Sequence, residues 1–302
     1  MQARKLILAA AVFPLLMTSA CVEKSSTGPM PQKEIGLQLY SVRSEIGNGD
    51  EMATKMPALL DTLASMGYTT VEAANYGDGK FYGMTPEEFR SALESRGMRA
   101  LSSHTTKHLT DEELASGDFT ESLKWWDQAI KDHKAAGMEY IVTPHMNVND
   151  TTALATYCKY YNEIGRRCRE AGLKYGYHNH SHEYRKIDDH VMLDYMIEHT
   201  DPENVFFQMD VYWTVMGQAS PVDYFNRYPG RFKLLHIKDR TEVGQSGMVG
   251  YDAIFANAKK AGVENIIVET EGSSFGDILG TVQQSIDYLK EAPFVPASYT
   301  EK

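Results

Sequence analysis

Basic residues are scarce in this 302-residue chain. Lys and Arg together number 30 against 41 Asp and Glu, so the formal net charge is -11. Nucleic-acid-binding proteins draw much of their affinity from clustered Lys and Arg side chains that contact phosphates. The acidic balance therefore argues against a nucleic-acid partner and favours a small-molecule substrate.

Cysteine is rarer still, with three residues in the chain. Two of them, Cys158 and Cys168, lie ten residues apart in one predicted helix, and ten helical residues span about 15 Å. A disulfide needs Cα atoms within about 7 Å of each other. Neither cysteine has a second Cys or a His at metal-ligand spacing, so we expect two buried structural thiols.

Long hydrophobic runs are also missing. The apolar stretch Leu6 to Met17 is too short to cross a bilayer comfortably, but it follows Arg4 and Lys5 and precedes the small residues Thr18 to Cys21. This order is typical of a signal peptide and predicts export. We assign residues 1–20 to the signal.

The cleavage region resembles a bacterial lipoprotein signal, in which Cys21 becomes the lipidated N-terminus. Thr18 stands where such signals usually carry Leu or another aliphatic residue, so ordinary secretory cleavage is the alternative. The polar residues 21–33 then read as a flexible tether. The predicted location is the periplasm, either free or anchored to a membrane by the lipid alone.

From residue 34 onward, eight short apolar runs alternate with longer amphipathic ones. The predicted strands are Ile35 to Tyr40, Thr70 to Ala73, Arg99 to His104, Tyr140 to Pro144, Lys174 to His178, Val205 to Asp210, Phe232 to Ile237 and Asn265 to Glu269. An open doubly wound sheet would call for a glycine-rich phosphate turn after the first strand, and Gln38 to Arg43 contains no glycine. The chain therefore predicts a single-domain (β/α)8 TIM barrel over residues 34–292, followed by a tail over 293–302.

Helix boundary signals support this rhythm. Thr85-Pro86 and Ser220-Pro221 each place a hydroxyl cap before a proline at the first helical position. Glycine follows the predicted helices at five places, which are Gly67, Gly97, Gly137, Gly172 and Gly262.

Polar side chains collect where the strands end, which is where a TIM barrel carries its active site. Four of them, His178, Asp210, His236 and Glu269, end four successive strands and are separated by roughly one βα unit each. Closing the barrel would bring the four onto one divalent metal ion. The sequence thus predicts a metal-dependent enzyme.

Several segments together resemble the sugar phosphate isomerase/epimerase group of xylose isomerase-like TIM barrels, from about residue 35 to 290. They are Gly36 to Arg43, Tyr177 to His180, Met209 to Trp213, Leu235 to Asp239 and Val268-Glu269. The resemblance implies one divalent ion, often manganese, with magnesium, cobalt or zinc as alternatives. It also implies Glu, Asp, His and Glu ligands from strands five to eight, and the last three match Asp210, His236 and Glu269.

The first ligand departs from that pattern, because His178 stands where many members carry Glu. In those members two glutamates flank the sugar and move a proton between its faces, so a symmetric two-base epimerisation is in doubt here. Either Glu183 supplies the missing carboxylate, or His178 binds the metal while His180 transfers protons.

Other strand-end residues are candidates for substrate binding. Trp213 suits stacking on a sugar ring, and Lys238 suits holding a sugar oxygen during catalysis. Gln38, Tyr40, His104 and His145 are the further substrate-binding candidates, although His104 and His145 can instead hydrogen-bond within the barrel mouth. Glu72 is either a member of the site or a salt-bridge partner.

This residue set predicts abstraction of the proton next to the carbonyl of a keto-sugar, with Glu269, Glu183, His180 and Lys238 as the catalytic candidates. Epimerisation or isomerisation would follow if the proton returns to carbon. Elimination or hydration of a 3-keto-glycoside is an alternative that uses the same site. A non-catalytic carbohydrate-binding lipoprotein is the alternative from another functional class. Export and the few Arg and Lys at the strand ends argue against a phosphorylated sugar.

Overall fold

Eight parallel strands form one sheet that closes into a barrel in the computed structural model, which describes residues 32–146 and 148–299. The strands are β1 (Gly36–Gln38), β2 (Thr70–Ala73), β3 (Arg99–Ser103), β4 (Tyr140–Thr143), β5 (Lys174–His178), β6 (Val205–Asp210), β7 (Phe232–Lys238) and β8 (Asn265–Glu269). Their order is β3-β2-β1-β8-β7-β6-β5-β4. The two ends of this sheet meet at a parallel bridge between His104 and Val142. The predicted (β/α)8 TIM barrel is confirmed.

Helices surround the sheet. They are α1 (Arg43–Ile46), α2 (Glu51–Met66), α3 (Pro86–Glu94), α4 (Asp111–Ser116), α5 (Thr120–Ala135), α6 (Thr151–Glu170), α7 (Met192–Glu198), α8 (Val211–Met216), α9 (Pro221–Arg227), α10 (Tyr251–Ala256), α11 (Ala258–Ala261) and α12 (Ile278–Glu291). Two short 3-10 helices, Leu39–Val42 and His182–Tyr184, lie in loops at the mouth. Two small hairpins, Tyr76–Gly77 with Lys80–Phe81 and Lys186–Ile187 with His190–Val191, lie in the loops after β2 and β5.

The helix boundary signals act as predicted. The Thr85 hydroxyl accepts the Glu88 N–H at 3.2 Å, and the Ser220 hydroxyl accepts the Asp223 N–H at 3.3 Å. All five predicted terminal glycines have positive φ angles, between 70° at Gly97 and 98° at Gly67. Glycine adopts this conformation without the steric cost that a Cβ would bring.

The first strand is shorter than predicted. The expected strand ran to Tyr40, but the Gln38 side-chain oxygen accepts the Tyr40 N–H at 3.0 Å and the chain turns into the Leu39–Val42 helix. A side chain that bonds a backbone N–H two residues on competes with strand pairing. Gln38 therefore ends β1 and directs Tyr40 outward at the mouth.

The barrel interior is built in layers because residues two apart on a strand share one face. A small apolar cluster includes Phe206, Leu234 and Ile267. Two residues further along the same strands are Gln208, His236 and Glu269, all buried. An apolar layer thus lies directly beneath a polar one, and the polar layer faces the C-terminal mouth.

The two ends of the described chain pack on the barrel. The Lys33 ammonium donates to the carbonyls of Leu289 and Ala292 at 3.0 and 2.6 Å, and the Glu34 N–H donates to the Ala297 carbonyl at 3.1 Å. Val295 is buried. Contacts with the barrel therefore continue beyond the end of α12.

The two internal cysteines behave as expected, since Cys158 and Cys168 are free, buried thiols within α6. The predicted signal over residues 1–20 and the proposed lipidation site Cys21 lie outside the described residues. In the part of the chain that the structure describes, no helix is both long enough and apolar enough to span a bilayer.

Gly165 allows α6 to approach the loop before β6. A Cβ placed on Gly165 would lie 2.0 Å from the Asn204 carbonyl oxygen. We expect Gly165→Ala to lower the free energy of unfolding by about 1–3 kcal/mol through overpacking, although alanine favours helix by about 1 kcal/mol. Urea denaturation measures this, and Gly77→Ala is the control because its Cβ would meet nothing within 4 Å. Equal stability of the two variants would contradict the close contact.

Candidate active site

The four residues predicted to bind metal come together at the mouth. His178, Asp210, His236 and Glu269 end or nearly end strands β5 to β8, and one ligand atom from each lies within 4.8 Å of the others. All four side chains are buried. This spacing suits donor atoms that share one ion.

Two of these donor atoms have no hydrogen-bond partner among the described residues. They are His178 Nδ1 and Asp210 Oδ2, both shielded from solvent. A buried polar atom without a partner costs about 1–3 kcal/mol. Imidazole nitrogen and carboxylate oxygen are ordinary ligands of divalent ions. A cation at this position would satisfy both atoms, so the residues fit a divalent metal.

Glu72, whose role the sequence left open, belongs to the site. Its two carboxylate oxygens lie within hydrogen-bonding distance of N or O atoms of five side chains, which are Gln38 (2.8 Å), His236 (2.5 Å), His104 (3.1 Å), Ser102 (2.6 Å) and Gln208 (2.8 Å). The carboxylate itself is completely buried. It therefore serves as the hydrogen-bonded support on which His236 rests.

His236 lies between two carboxylates. Its Nε2 is 2.5 Å from Glu72 Oε1 and its Nδ1 is 3.0 Å from Glu269 Oε2. Burial lowers the pKa of His236, but the charges of Glu72 and Glu269 outweigh burial and raise that pKa to about 10. Burial alone would raise the pKa of the Glu72 and Glu269 carboxyl groups. The imidazoles of His104 and His236 nevertheless hold the pKa of Glu72 well below its usual range. His236 and Lys238 lower the pKa of Glu269 in the same way.

Burial acts in the expected direction on two other members. It raises the pKa of Asp210, with Lys238 opposing that shift. It lowers the pKa of His178 well below the usual value, and the neighbouring imidazoles add to the effect. His178 is thus held as a neutral imidazole, the form that binds metal.

Three further side chains lie beside the group of four. Trp213 lies on α8, where its backbone N–H donates to Asp210 Oδ1 at 2.7 Å, and its buried indole Nε1 has no hydrogen-bond partner among the described residues. Lys238 Nζ is 5.2 Å from the Trp213 ring centroid, and the His180 ring centroid is 5.9 Å from it. An aromatic ring, an ammonium and an imidazole therefore lie together next to the group of four.

Lys238 bridges two acidic residues. Its ammonium donates to Glu269 Oε2 at 3.2 Å and to Glu271 Oε1 at 2.5 Å. Burial lowers the pKa of Lys238, but the acidic groups Glu269, Asp210 and Glu271 together outweigh burial and raise that pKa. Lys238 is charged and held beside the group of four.

Glu183 lies in a separate cluster. Its Oε2 accepts the His180 N–H at 2.8 Å, its Oε1 accepts the Tyr177 hydroxyl at 2.7 Å, and His182 Nε2 lies 3.0 Å from the same Oε1. His180, His182 and Glu183 thereby form a second set of metal-capable side chains. Within the group of four, the structure places His178 and not Glu183.

His180 is the member of that cluster which also lies close to His178 and Trp213. Its ring centroid is 4.8 Å from that of His178. Burial lowers the pKa of His180 to about 4, with Glu183 opposing the shift. A neutral imidazole therefore lies beside both Trp213 and the group of four.

The remaining substrate candidates divide into two pairs. Gln38 and His104 belong to the buried network around Glu72, where His104 Nε2 is also 2.8 Å from Gln208 Oε1. Tyr40 and His145 are exposed at the mouth, and the His145 ring lies 5.4 Å from His182. Sequence reasoning missed Gln208 and Ser102, although Gln208 precedes Asp210 by two residues and so shares its face of β6.

Known proteins share this architecture. Residues 60–292 match the family described as xylose isomerase-like TIM barrel. A crystal structure of a sugar phosphate isomerase/epimerase from Parabacteroides distasonis is 33% identical, with a TM-score of 0.79 over 90% of this chain and 98% of that one. A D-allulose 3-epimerase from Methylomonas sp. is 15% identical, with a TM-score of 0.66 over 86% of this chain and 98% of that one, and so shares the fold.

Curated relatives match over a shorter span. An inosose dehydratase from Lacticaseibacillus casei is 26% identical over 194 residues, which is 60% of this chain and 62% of the relative. An inosose dehydratase from Geobacillus kaustophilus is 21% identical over 198 residues, which is 60% of this chain and 61% of the relative. The chain thus spans about three fifths of the length of these relatives.

Glu72 should control metal affinity without binding the metal itself. Glu72→Gln weakens the hydrogen bond to His236 Nε2, and loss of such a partner of a metal ligand typically lowers metal affinity by about 10–100-fold. Manganese titration by calorimetry measures the change, with circular dichroism to check folding. Glu264→Gln is the control, since Glu264 accepts hydrogen bonds from Tyr140 and Lys174 at the opposite end of the barrel. Unchanged affinity in Glu72→Gln would refute the supporting role.

Proposed function

This chain belongs to the xylose isomerase-like TIM barrel family, and on that premise we propose that it is a carbohydrate-converting enzyme. The proposed reaction begins with removal of the proton next to the carbonyl of a keto-sugar. The observation that carries the proposal is the convergence of His178, Asp210, His236 and Glu269, two of which present buried donor atoms that no described residue hydrogen-bonds. A protein that only binds sugar would have no use for this convergence.

The same four residues would hold the metal, for which manganese is the first choice and magnesium, cobalt or zinc are alternatives. When bound, a divalent ion draws charge from the carbonyl and neighbouring hydroxyl oxygens and so acidifies the adjacent C–H. Because Glu72 bonds His236 Nε2, the Nδ1 atom of His236 faces Glu269 and the position that the four ligand atoms would share.

The protein side chains would carry the proton steps. Glu269, kept ionised by His236 and Lys238, takes the proton from carbon. The Lys238 ammonium stabilises the negative charge that develops on the sugar oxygens. Trp213 supports the sugar ring, and its indole N–H, which has no partner in the described part of the chain, can donate to a hydroxyl.

His180 is the proposed second proton-transfer group, and Glu183 is the positioning residue behind it. Glu183 accepts the His180 backbone N–H and contacts His182, so it fixes the loop that carries the His180 ring. If His180 first takes up a proton from Glu269 or from water, its delivery of that proton to carbon gives an epimer or isomer. Delivery of the same proton to a departing oxygen at the β-position breaks that C–O bond and forms a C=C bond, which is an elimination.

Elimination from a 3-keto-glycoside is the second candidate outcome. His178 in place of a carboxylate removes the pair of glutamates that a symmetric epimerisation would use. The similarity to inosose dehydratases, 26% over 194 residues, favours a reaction that expels a leaving group. The first proton abstraction is common to both outcomes.

Proton exchange tests the shared step. In deuterated water with manganese, we expect deuterium to enter free ketohexoses or 3-keto-glucosides at the carbon next to the ketone, as followed by NMR. Chelation should abolish exchange, and Glu269→Gln should slow it by about 10²–10⁴-fold, the usual worth of a positioned base. Glu139→Gln, an exposed carboxylate paired with Arg99, is the control.

The products separate the alternatives. A released aglycone identifies elimination, and an isomeric ketose identifies epimerisation or isomerisation. Sugar binding without exchange on any keto-sugar would instead favour the non-catalytic carbohydrate-binding lipoprotein.

We also propose that the protein is exported and anchored through Cys21. One acyl chain gives marginal membrane binding, whereas several acyl chains on one residue give stable anchoring. We expect Cys21→Ser to move the protein from the membrane fraction to the soluble fraction of a bacterial host. Cys158→Ser is the control. An unchanged distribution of Cys21→Ser would contradict lipid anchoring.

A further inference from the structure

A cleft of about 690 Å³ opens at the barrel mouth beside β1, β2 and β8. Tyr40 and Arg43 line it from the loop after β1, Asn75 from the loop after β2, and Glu271 and Ile278 from the chain after β8. His178, Asp210, His236 and Glu269 are not among its lining residues. The cleft is therefore space in addition to the group of four.

One side chain connects the cleft with that group. Glu271 lines the cleft, and its Oε1 accepts the Lys238 ammonium, which also donates to Glu269 Oε2. Two hydrogen bonds thus lead from the cleft wall to the proposed base. A molecule in the cleft can be part of the same substrate whose sugar reacts at Glu269.

The walls of the cleft are mixed in character. Polar residues such as Ser44 and Asn75 line it beside apolar ones such as Met52 and Ile278, and Tyr40 supplies an exposed aromatic ring. The Tyr40 side chain is 47% exposed, and the Arg43 guanidinium carbon lies 4.2 Å from its ring centroid. Arg43 Nη1 also donates to the Tyr40 carbonyl at 2.9 Å, so the pair is held in place. A planar group entering the cleft would meet a fixed aromatic ring.

Tyr40 is one of the large hydrophobic side chains that are exposed among residues 32–146 and 148–299, and the others are Met248 and Phe275. Of these three, Tyr40 lines the cleft.

The charges in the cleft do not suit a phosphate. Among the described residues, Arg43 is the one Lys or Arg in the lining, and Glu271 contributes a carboxylate. Pockets of about 300–1,000 Å³ typically enclose compact organic groups. The volume also exceeds what an extra hydroxyl or methyl group on the sugar would need.

We propose that this cleft binds an aromatic aglycone, so that the substrate is an aryl keto-glycoside and not a free monosaccharide. The inference rests on the proposed function in one respect, since the sugar must lie at Glu269 for its aglycone to reach the cleft. Stacking on Tyr40 supplies affinity for the aglycone, and Arg43 keeps the Tyr40 ring in position.

Binding of unreactive glycosides tests the inference. Phenyl β-glucoside and methyl β-glucoside share the sugar, lack the ketone and differ in the aromatic group. Calorimetry with the full chain should show at least about tenfold tighter binding of the phenyl compound, equivalent to about 1.4 kcal/mol. Tyr40→Ala should abolish this preference, and the half-exposed position of Tyr40 lets that variant fold.

Met248→Ala is the matched control, because Met248 is 46% exposed on a neighbouring loop and does not line the cleft. It should keep the phenyl preference. Equal affinity for the two glucosides, no binding of either, or a preference that survives Tyr40→Ala would each overturn the aglycone site.

The exchange assay on 3-keto-glucosides and free ketohexoses separates this inference from the proposed function. Exchange without a phenyl preference removes the aglycone site and leaves the proton chemistry. The opposite result is a phenyl preference that depends on Tyr40 without proton exchange on any keto-sugar. It would support the aglycone site and contradict the proposed chemistry.

Discussion

The buried carboxylate of Glu72 is the interaction on which the barrel mouth depends. A carboxylate in a protein interior is costly unless hydrogen-bond donors and positive charge surround it. Glu72, on β2, meets side chains from β1, β3, β6 and β7 and from the residue that follows β3. One charged group thus ties together strands on opposite sides of the barrel. The orientation of His236, and through it the geometry of the metal-capable group, follows from that tie.

Much of the fold could be predicted because its signals are local. Glycines at helix ends, hydroxyl caps before proline and apolar strand runs each depend on a few neighbouring residues. The convergence of His178, Asp210, His236 and Glu269 was also predictable, since every strand of a closed barrel ends at one face. The network around Glu72 was not, because its partners come from strands far apart in the chain and no local pattern pairs them.

The histidine-rich run after β5 shows another limit of the sequence. Alternate residues of a strand share a face, which would place His178, His180 and His182 together. The strand ends at His178, and the loop then follows the hydrogen bonds of Glu183 with Tyr177 and the His180 N–H. His180 consequently lies beside His178 and Trp213, while His182 lies beside the exposed His145. The neighbours of each histidine thus depend on a carboxylate that the sequence offered only as a candidate ligand.

The two-layered interior has a consequence for how such a protein can diversify. Phe206, Leu234 and Ile267 fill the barrel, whereas Gln208, His236 and Glu269, two positions along the same strands, face the mouth. Positions two residues apart on one strand therefore have different tasks, one in the core and one at the mouth. Mutation can exchange groups in the upper layer, and so alter the chemistry of the mouth, while the lower layer preserves a foldable scaffold for the next variant.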